Sequence, residues 1–582
     1  MERRARSHLH GGHGIARARR GDGCAGAAHQ HRSPDHRDRR PLRDRGQLGH
    51  PAGGVVPGVR QAGAAHGAAA PSLRAARLAG VHRHRALLDS RGAVRGLRAG
   101  PVLCRLHRPR GCGVNPLSRL PLPFGRAGVV GLGRSGAAAA RLLAGAGIEV
   151  RVTEARDTPA LAGVAAELAT LGVVTELGGH GEGIAAWAEA LVVSPGVPPA
   201  NPLITAAVQR GIPVWSEIEL AWRFASVPVL AVTGTNGKTT TTTLLASVLQ
   251  AAGLDAVAAG NIGYPLVDAV EGSHDVIVCE VSSFQLAFSE TFRPSIAIVL
   301  NVADDHYDWH AGYDDYLSAK ARIGRVQTAE DLLIAGSADR GALSIAVGAP
   351  ARPAAFGLGD LASVHAAARR LGRPLAAAAG VEGGRVVAEG SAGPASIVEV
   401  EKIRLVGPHN LENVLAASLA ALEWGVEPEV IGAAVAAFSP LAHRSTLIGE
   451  IDGVRYIDDS KATNPHATLS ALQGLERVVL IAGGRAKGLD LSPLAEHTHR
   501  LAGVVAMGEA TAELESLFAG RVRIAAAAFV EEAVETAAAW AVPGDTVLLS
   551  PACSSLDQYT SYAERGERFA AAVGRLARAG VR

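Results

Sequence analysis

Val229-Leu-Ala-Val-Thr-Gly-Thr-Asn-Gly-Lys-Thr-Thr240 runs from an apolar stretch through a glycine-bounded turn into a helix-forming segment. Val229–Thr233, entered from Pro228, reads as a strand covered on both faces, because it is short, apolar and without polar alternation. The turn carries the GTNGK[ST] pattern at Gly234, Thr235, Asn236, Gly237, Lys238, Thr239 and Thr240. The backbone N–H groups of such a loop cradle phosphate, the lysine reaches the β and γ oxygens, and the following hydroxyl ligates Mg²⁺. The longer phosphate-loop pattern has Gly where this chain has Val232, so the match is to the shorter variant. A helix is predicted from Thr241 to about Ala252. Strand, phosphate loop and helix together predict an α/β architecture.

The same alternation continues downstream. Asp275–Glu280 reads as a strand that delivers Glu280 at its C-terminal end, the end that faces the nucleotide crevice in an open α/β sheet. Ser295–Leu300 reads as the next strand and runs into Asn301-Val-Ala-Asp304-Asp305-His306. A helix pattern over Asp314–Ile323 carries Lys320. A lone His or Lys is more often a core or surface group. After consecutive strand ends beside a phosphate loop, His306 and Lys320 read instead as metal ligands or their supports. Gly260-Asn261-Ile262-Gly263 forms a loop suited to positioning substrate.

Two further units flank this one. Upstream, Gly128-Val-Val-Gly131-Leu-Gly133-Arg-Ser-Gly136 is followed by an Ala-rich helix to about Ala146 and a strand over Ile148–Thr153 ending at Glu154. Such a βαβ unit brings a pyrophosphate to a helix N-terminus. By itself the pattern does not say which nucleotide, and many such turns serve only tight packing. Downstream, the strands Val454–Ile457, Val478–Ala482 and Thr546–Ser550 each run into a polar loop. These loops are Asp458-Asp459-Ser460-Lys461-Ala462-Thr463-Asn464-Pro465, Gly483-Gly-Arg-Ala-Lys487-Gly488 and Pro551-Ala-Cys-Ser-Ser555-Leu-Asp-Gln-Tyr559. Lys461, Lys487 and Arg444 there gather positive charge suited to an anionic substrate. The boundaries read as 126–224, 225–440 and 441–582.

The 582 residues carry a net charge of +3, and that small number hides a split. Residues 1–125 hold 24 Arg, no Lys and six acidic groups, so +18, while the rest holds 34 basic and 49 acidic groups, so −15. The acidic body argues against nucleic-acid binding, which sets Lys and Arg against phosphates. No apolar stretch is long enough to span a membrane. Five scattered cysteines form neither a disulfide framework nor a zinc spacing, and they suit a reducing cytoplasm. The Arg/His-rich leader, with Phe124 its one aromatic, is too poor in apolar surface to offset the entropy of ordering. We expect it to be disordered and to start upstream of the true N-terminus, ahead of a basic arm or a targeting peptide as alternatives.

GTNGKTTTT, GNIG, EVSSFQL and NVADDH…AK resemble the Mur ligase family, which builds the peptide stem of the bacterial cell wall. DDSKATNP and LSPACSSLDQ resemble the branch of that family acting on UDP-N-acetylmuramoyl-L-alanine and D-glutamate. The resemblance spans about 126–582. It implies a Rossmann-like UDP-binding domain, a central phosphate-loop ATPase domain and a C-terminal Rossmann-like domain that binds the amino acid.

It assigns the UDP substrate to Leu132, Gly133, Arg134, Ser135, Glu154, Ala155, Arg156, Gly196 and Asn261. ATP falls to Gly234–Thr240, Asn410, Asn413, Arg444 and Asp459. Two Mg²⁺ ions fall to Thr239, Glu280, His306 and a carbamylated Lys320, and D-glutamate to Lys461, Thr463, Lys487, Ser555, Leu556 and Tyr562. Lys238, His306, Lys320 and Arg444 are implied as catalytic, and a cytoplasmic monomer is expected. Two departures stand out: Ser445-Thr446 follow His443-Arg444 where the family has an acid two positions on, and Tyr562 replaces the usual Phe. A folylpolyglutamate-type ligase would leave the front GxGxxG unit without a purpose. An oxidoreductase fusion would need a hydride-acceptor site, and a nucleotide-binding module with an RNA-binding tail conflicts with the acidic body.

Overall fold

The computed structural model describes residues 121–181, 183–369 and 372–579. The expected disorder of the leader falls on residues 1–120, outside the described residues. Its last part corrects that expectation. Phe124 is buried and packs on Trp215 with ring centroids 5.2 Å apart, so the folded unit begins before residue 126.

Three sheets carry the described chain. The first holds β1 (Arg126–Val130), β2 (Glu149–Glu154), β3 (Val174–Leu177), β4 (Ala190–Val193) and β5 (Val214–Ser216). Its order is β3-β2-β1-β4-β5, all parallel, so the winding reverses beside β1. The turn after β1 needs its glycines for two reasons. Gly131 has φ +95°, and a Cβ on Gly136 would lie 2.0 Å from the Gly131 carbonyl oxygen. A Cβ on Gly133, by contrast, would meet nothing within 4 Å.

The second sheet holds β6 (Val229–Thr233), β7 (Ala256–Gly260), β8 (Val276–Glu280), β9 (Ile296–Val299), β10 (Leu332–Gly336), β11 (Arg352–Phe356), β12 (Ala377–Glu382), β13 (Arg385–Gly390) and β14 (Gly393–Glu399). The order is β14-β13-β12-β11-β10-β9-β6-β8-β7, with only the β12–β13–β14 meander antiparallel. Strands β6 and β8 are buried throughout, as uninterrupted apolar runs in a parallel sheet should be. Because β9, β6 and β8 are neighbours, the Asn301 loop, the phosphate loop and Glu280 leave the sheet side by side. The helix after the phosphate loop starts at Lys238, earlier than Thr241, because Gly237 at φ +86° already serves as its N-cap. The Lys320 helix ends at Ala321 and tightens into a 3₁₀ turn over Arg322–Gly324.

The third sheet holds β15 (Thr446–Ile451), β16 (Val454–Asp458), β17 (Val478–Gly483), β18 (Leu501–Met507), β19 (Ile524–Ala527) and β20 (Thr546–Leu549). Its order is β15-β16-β20-β17-β18-β19, with β15 antiparallel to β16 and the remaining pairs parallel. Here too the three loop-bearing strands β16, β20 and β17 are adjacent. The helix Tyr562–Ala579 packs back on β15 and β16 and closes the unit.

Candidate active site

A cleft of about 320 Å³ opens where the loops after β6, β8 and β9 meet the loop after β16 and the Arg444–Ser445 segment. The phosphate loop is held from below by one side chain. Asn301 Oδ1 accepts from the N–H groups of Thr235 (3.1 Å) and Asn236 (2.9 Å). Asn413, on the helix Pro408–Trp424, accepts from Thr241 Oγ1 at 3.2 Å and donates to Asn410 Oδ1 at 3.3 Å. It lies so close that a Cβ on Gly237 would fall 2.2 Å from its Oδ1.

Two lysines share one acceptor. The Gly234 carbonyl accepts from Lys238 Nζ at 2.8 Å and from Lys320 Nζ at 2.9 Å. Lys320 is 1% exposed, so burial and then the neighbouring Lys238 charge hold its amine far below the ordinary lysine range. Burial also lowers Lys238, although Glu280 and Asp305 oppose it. His306 is pushed down to about 4 by burial, with Asp305 opposing and Lys487, Lys238 and Lys320 adding to the shift. Its imidazole is therefore neutral and can offer a lone pair.

The donor set fits a hard cation. Glu280 is 2% exposed, its Oε1 accepts from Asn261 Nδ2 at 3.0 Å, and its Oε2 is buried without a hydrogen-bond partner. A buried, unpaired carboxylate oxygen is costly unless something cationic faces it. Among the described residues no three His, Cys, Asp or Glu side chains converge as a metal cage. Mg²⁺ does not need one, since it is typically held by one or two carboxylates together with substrate phosphates and water.

The second and third sheets are joined by polar contacts in this cleft. Asn236 Nδ2 donates to Asn464 Oδ1 at 3.2 Å, and Asp305 accepts from Asn464 Nδ2 at 2.9 Å and from Lys487 Nζ at 3.3 Å. Burial works against the Asp305 charge, but His306, Lys487 and Asn464 outweigh it and keep the carboxyl below its ordinary value. Desolvation lowers the half-buried Arg444, and Asp459 is raised to about 7 by burial against the pull of its Ser550 and Ser445 donors. Ser445 has a local purpose: its N–H donates to Asp459 Oδ1 at 3.0 Å. Lys461 stands over the Tyr562 ring, 3.8 Å from the centroid, and burial brings it down to about 8.

Of the residues singled out from sequence, Thr235–Thr240, Asn261, Glu280, His306, Lys320, Asn410, Asn413, Arg444, Asp459, Lys461 and Thr463 line the cleft. Lys487, Ser555, Leu556 and Tyr562 do not, and Leu556 is 62% exposed. The front cluster lies on the first sheet. There Glu154 accepts from the Leu132 N–H at 2.8 Å and pairs with Arg156 at 2.9 Å. Burial opposes its charge, yet the Arg156 guanidinium and the two N–H donors hold it at about 2. Arg134 reaches across to the Gly263 carbonyl at 3.4 Å, beside Asn261.

Sequence reading gave no role to Asn301, Asp305, Asn464 or the Ser283–His310–Asp315 array. In that array His310 bridges Ser283 Oγ (3.0 Å) and Asp315 (2.9 Å). Asn301 and Asp305 belong to the Asn301–His306 segment, and its position after a strand end beside the phosphate loop is the signal for them. His310 carried none, since its partners lie on separate elements.

Residues 126–216 match the Mur ligase MurD-like N-terminal domain, 232–421 the Mur ligase middle domain, and 443–553 the Mur ligase glutamate ligase domain. Proteins named UDP-N-acetylmuramoylalanine--D-glutamate ligase are similar over most of their length. That of Frankia casuarinae is 45% identical over 76% of this chain and 93% of its own. That of Geobacter metallireducens is 42% identical over 77% and 97%. Among solved structures, a pseudomurein peptide ligase type C from Methanothermus fervidus superposes with a TM-score of 0.50 at 17% identity, covering 78% of this chain and 100% of that one, a likeness of fold. MurF ligase from Thermotoga maritima, in complex with ADP, does so with 0.50 at 16% identity over 74% and 96%. With three domains matched in order and relatives above 40% identity along nearly their whole length, the chain belongs to the Mur ligase family.

Proposed function

We propose that this chain joins D-glutamate to UDP-N-acetylmuramoyl-L-alanine, coupled to cleavage of ATP to ADP and phosphate, through an acyl phosphate. The observation that carries this reading is the meeting of a phosphate loop and the third-sheet loops in one cleft, through Asn236–Asn464 and Asp305–Lys487. The identity of the relatives supports the choice of amino acid and sugar nucleotide. Gly234–Thr240, Asn410, Asn413, Arg444 and Asp459 would hold ATP. Leu132–Ser135, Glu154–Arg156, Gly196 and Asn261 would hold the UDP substrate; the open space beside the Gly133 and Gly196 Cα atoms leaves room for close approach. Lys461, Thr463, Lys487, Ser555, Leu556 and Tyr562 would hold D-glutamate.

The chemistry follows from charge. A carboxylate is a poor electrophile. Its oxygen therefore takes the γ-phosphoryl group and releases ADP. The D-glutamate amine then attacks the acyl carbon, and phosphate leaves with that oxygen. Both steps crowd anions, and Lys238 and Arg444 are fixed cations placed to offset them. Thr239, Glu280, His306 and Lys320 are the residues that would hold Mg²⁺, which when bound neutralises the phosphate oxygens and orients them. Burial and the Lys238 charge disfavour the Lys320 ammonium and so favour the free amine that capture of CO₂ requires; the resulting carbamate would carry an anion where an ammonium repels metal. ATP and a sugar nucleotide as substrates put the reaction in the cytoplasm. Among the described residues no helix is long and apolar enough to cross a membrane.

The test is ADP release by purified protein. It should require UDP-N-acetylmuramoyl-L-alanine and D-glutamate together. ADP release at the same rate without either acceptor would refute the reading.

A further inference from the structure

We propose that Arg565 is a positioning residue for the amino-acid subsite: its guanidinium clasps the three loops that present Lys461, Ser555 and Lys487. The inference rests on the functional reading above, because those three residues are the ones assigned there to D-glutamate.

Arg565 lies on the first turn of the helix Tyr562–Ala579 and is fully buried. Its hydrogen-bond partners are all neutral. Nε donates to Ser460 Oγ at 3.0 Å and Nη2 to the Ser460 carbonyl at 2.8 Å. Nη1 and Nη2 each donate to the Cys553 carbonyl at 3.3 Å, and Nη1 reaches the Gly483 carbonyl at 3.5 Å. Ser460 follows β16 and precedes Lys461. Cys553 follows β20, two residues before Ser555. Gly483 ends β17, four residues before Lys487. One side chain thus touches every loop of the subsite at its root.

Two of these loops hold each other without help. Arg485 N–H donates to the Ser554 carbonyl and Ser554 N–H to that of Arg485, both at 2.9 Å. Arg565 joins the Ser460 loop to both members of that pair, while Ser550 Oγ, which donates to Asp459 Oδ2 at 2.9 Å, links it to the loop after β20 alone. The next residue explains how the helix comes close enough. A Cβ on Gly566 would fall 2.2 Å from His443 Nδ1 and 2.7 Å from Asp458 Oδ2, so only glycine lets the helix rest on the end of β16.

The chemistry argues against a filler role. Burying a guanidinium with no carboxylate in hydrogen-bond contact is expensive, and an aliphatic side chain of similar size would fill the space at less cost. Burial brings Arg565 down to about 10, which still leaves it charged near neutrality. A planar fork with five donors can reach three separate backbone carbonyls; an ammonium is a single point.

The experiment compares full-length wild type, Arg565→Lys and Arg568→Lys in steady-state assays varying ATP and D-glutamate separately, with thermal unfolding of each. Arg568 is a half-exposed residue on the same helix and reports any general effect of helix substitution. Arg565→Lys should raise KM for D-glutamate about tenfold while KM for ATP stays within about twofold and Tm falls by only a few degrees, the pattern of lost substrate binding. Arg568→Lys should match wild type. If KM for ATP and D-glutamate rise together as Tm drops, Arg565 is merely structural and the proposal falls. Unchanged kinetics in Arg565→Lys would also overturn it. Wild type that ignores D-glutamate altogether would refute the functional reading itself, a result distinct from either.

Discussion

Two clusters of loops meet through Asn236–Asn464 and Asp305–Lys487, and different groups brace them. The loops after β6, β8 and β9 are braced by one another and by two helices: Asn301 holds the phosphate loop, Lys238 and Lys320 close on the Gly234 carbonyl, and Asn413 accepts from Thr241. The loops after β16, β20 and β17 are held by residues from outside, Arg565 and Tyr562 on the last helix. The first cluster is braced across as many as 172 residues of chain, by Asn413 on Thr241, as well as by Asn301 on the phosphate loop. The second is braced from the last helix, across 105 residues from Arg565 to Ser460. Substitutions in the first should therefore strike ATP chemistry directly, while those in the second should move recognition of the amino acid.

The largest effect falls on the first cluster. Lys238→Ala removes the cation facing the β and γ phosphates and should cut ATP turnover by at least about 10³-fold, read as ADP release under saturating acceptors. Glu280→Gln comes next. It leaves a neutral amide where Oε2 now lies buried and unpaired, and should lower activity about 10²-fold while raising the Mg²⁺ concentration needed for half-maximal rate. A Mg²⁺ titration of both proteins checks it.

The second cluster should show smaller effects confined to D-glutamate. Lys461, brought down to about 8, loses its ammonium as pH rises through that value, so the attraction for a carboxylate is present below and lost above. KM for D-glutamate should accordingly climb severalfold between pH 7.5 and about 9, and Lys461→Gln should flatten that rise. Tyr562→Leu removes the ring under Lys461 and should raise KM for D-glutamate about threefold to tenfold, with Tyr562→Phe closer to wild type because the ring face, not the hydroxyl, meets the cation. A change of equal size in KM for ATP would erase the distinction between the clusters.

The same contrast decides what could be read from sequence. The strands that lead into the phosphate loop, Glu280 and the Asn301–His306 segment are legible because apolar runs mark them. The sheet orders, with β9-β6-β8 and β16-β20-β17 adjacent, were not written in any local period, yet they are what brings the loops together. Asn301 and Asp305 lie in the Asn301–His306 segment, but their partners are backbone groups and side chains far along the chain. Arg565 looked like one more charged residue on an amphipathic helix. Its burial follows only from the packing of that helix on β16, which Gly566 permits. Phe124 went the other way: leader composition hid a core residue whose partner, Trp215, lies 91 positions on.

The central claim is that carboxylate oxygen, phosphate and amine meet in one cleft, and oxygen transfer tests it most directly. UDP-N-acetylmuramoyl-L-alanine labelled with ¹⁸O in both carboxylate oxygens should deliver one of them to inorganic phosphate in each turnover with D-glutamate, the other remaining in the new amide. Amide formed with no label in the phosphate would contradict an acyl phosphate and the account built on it.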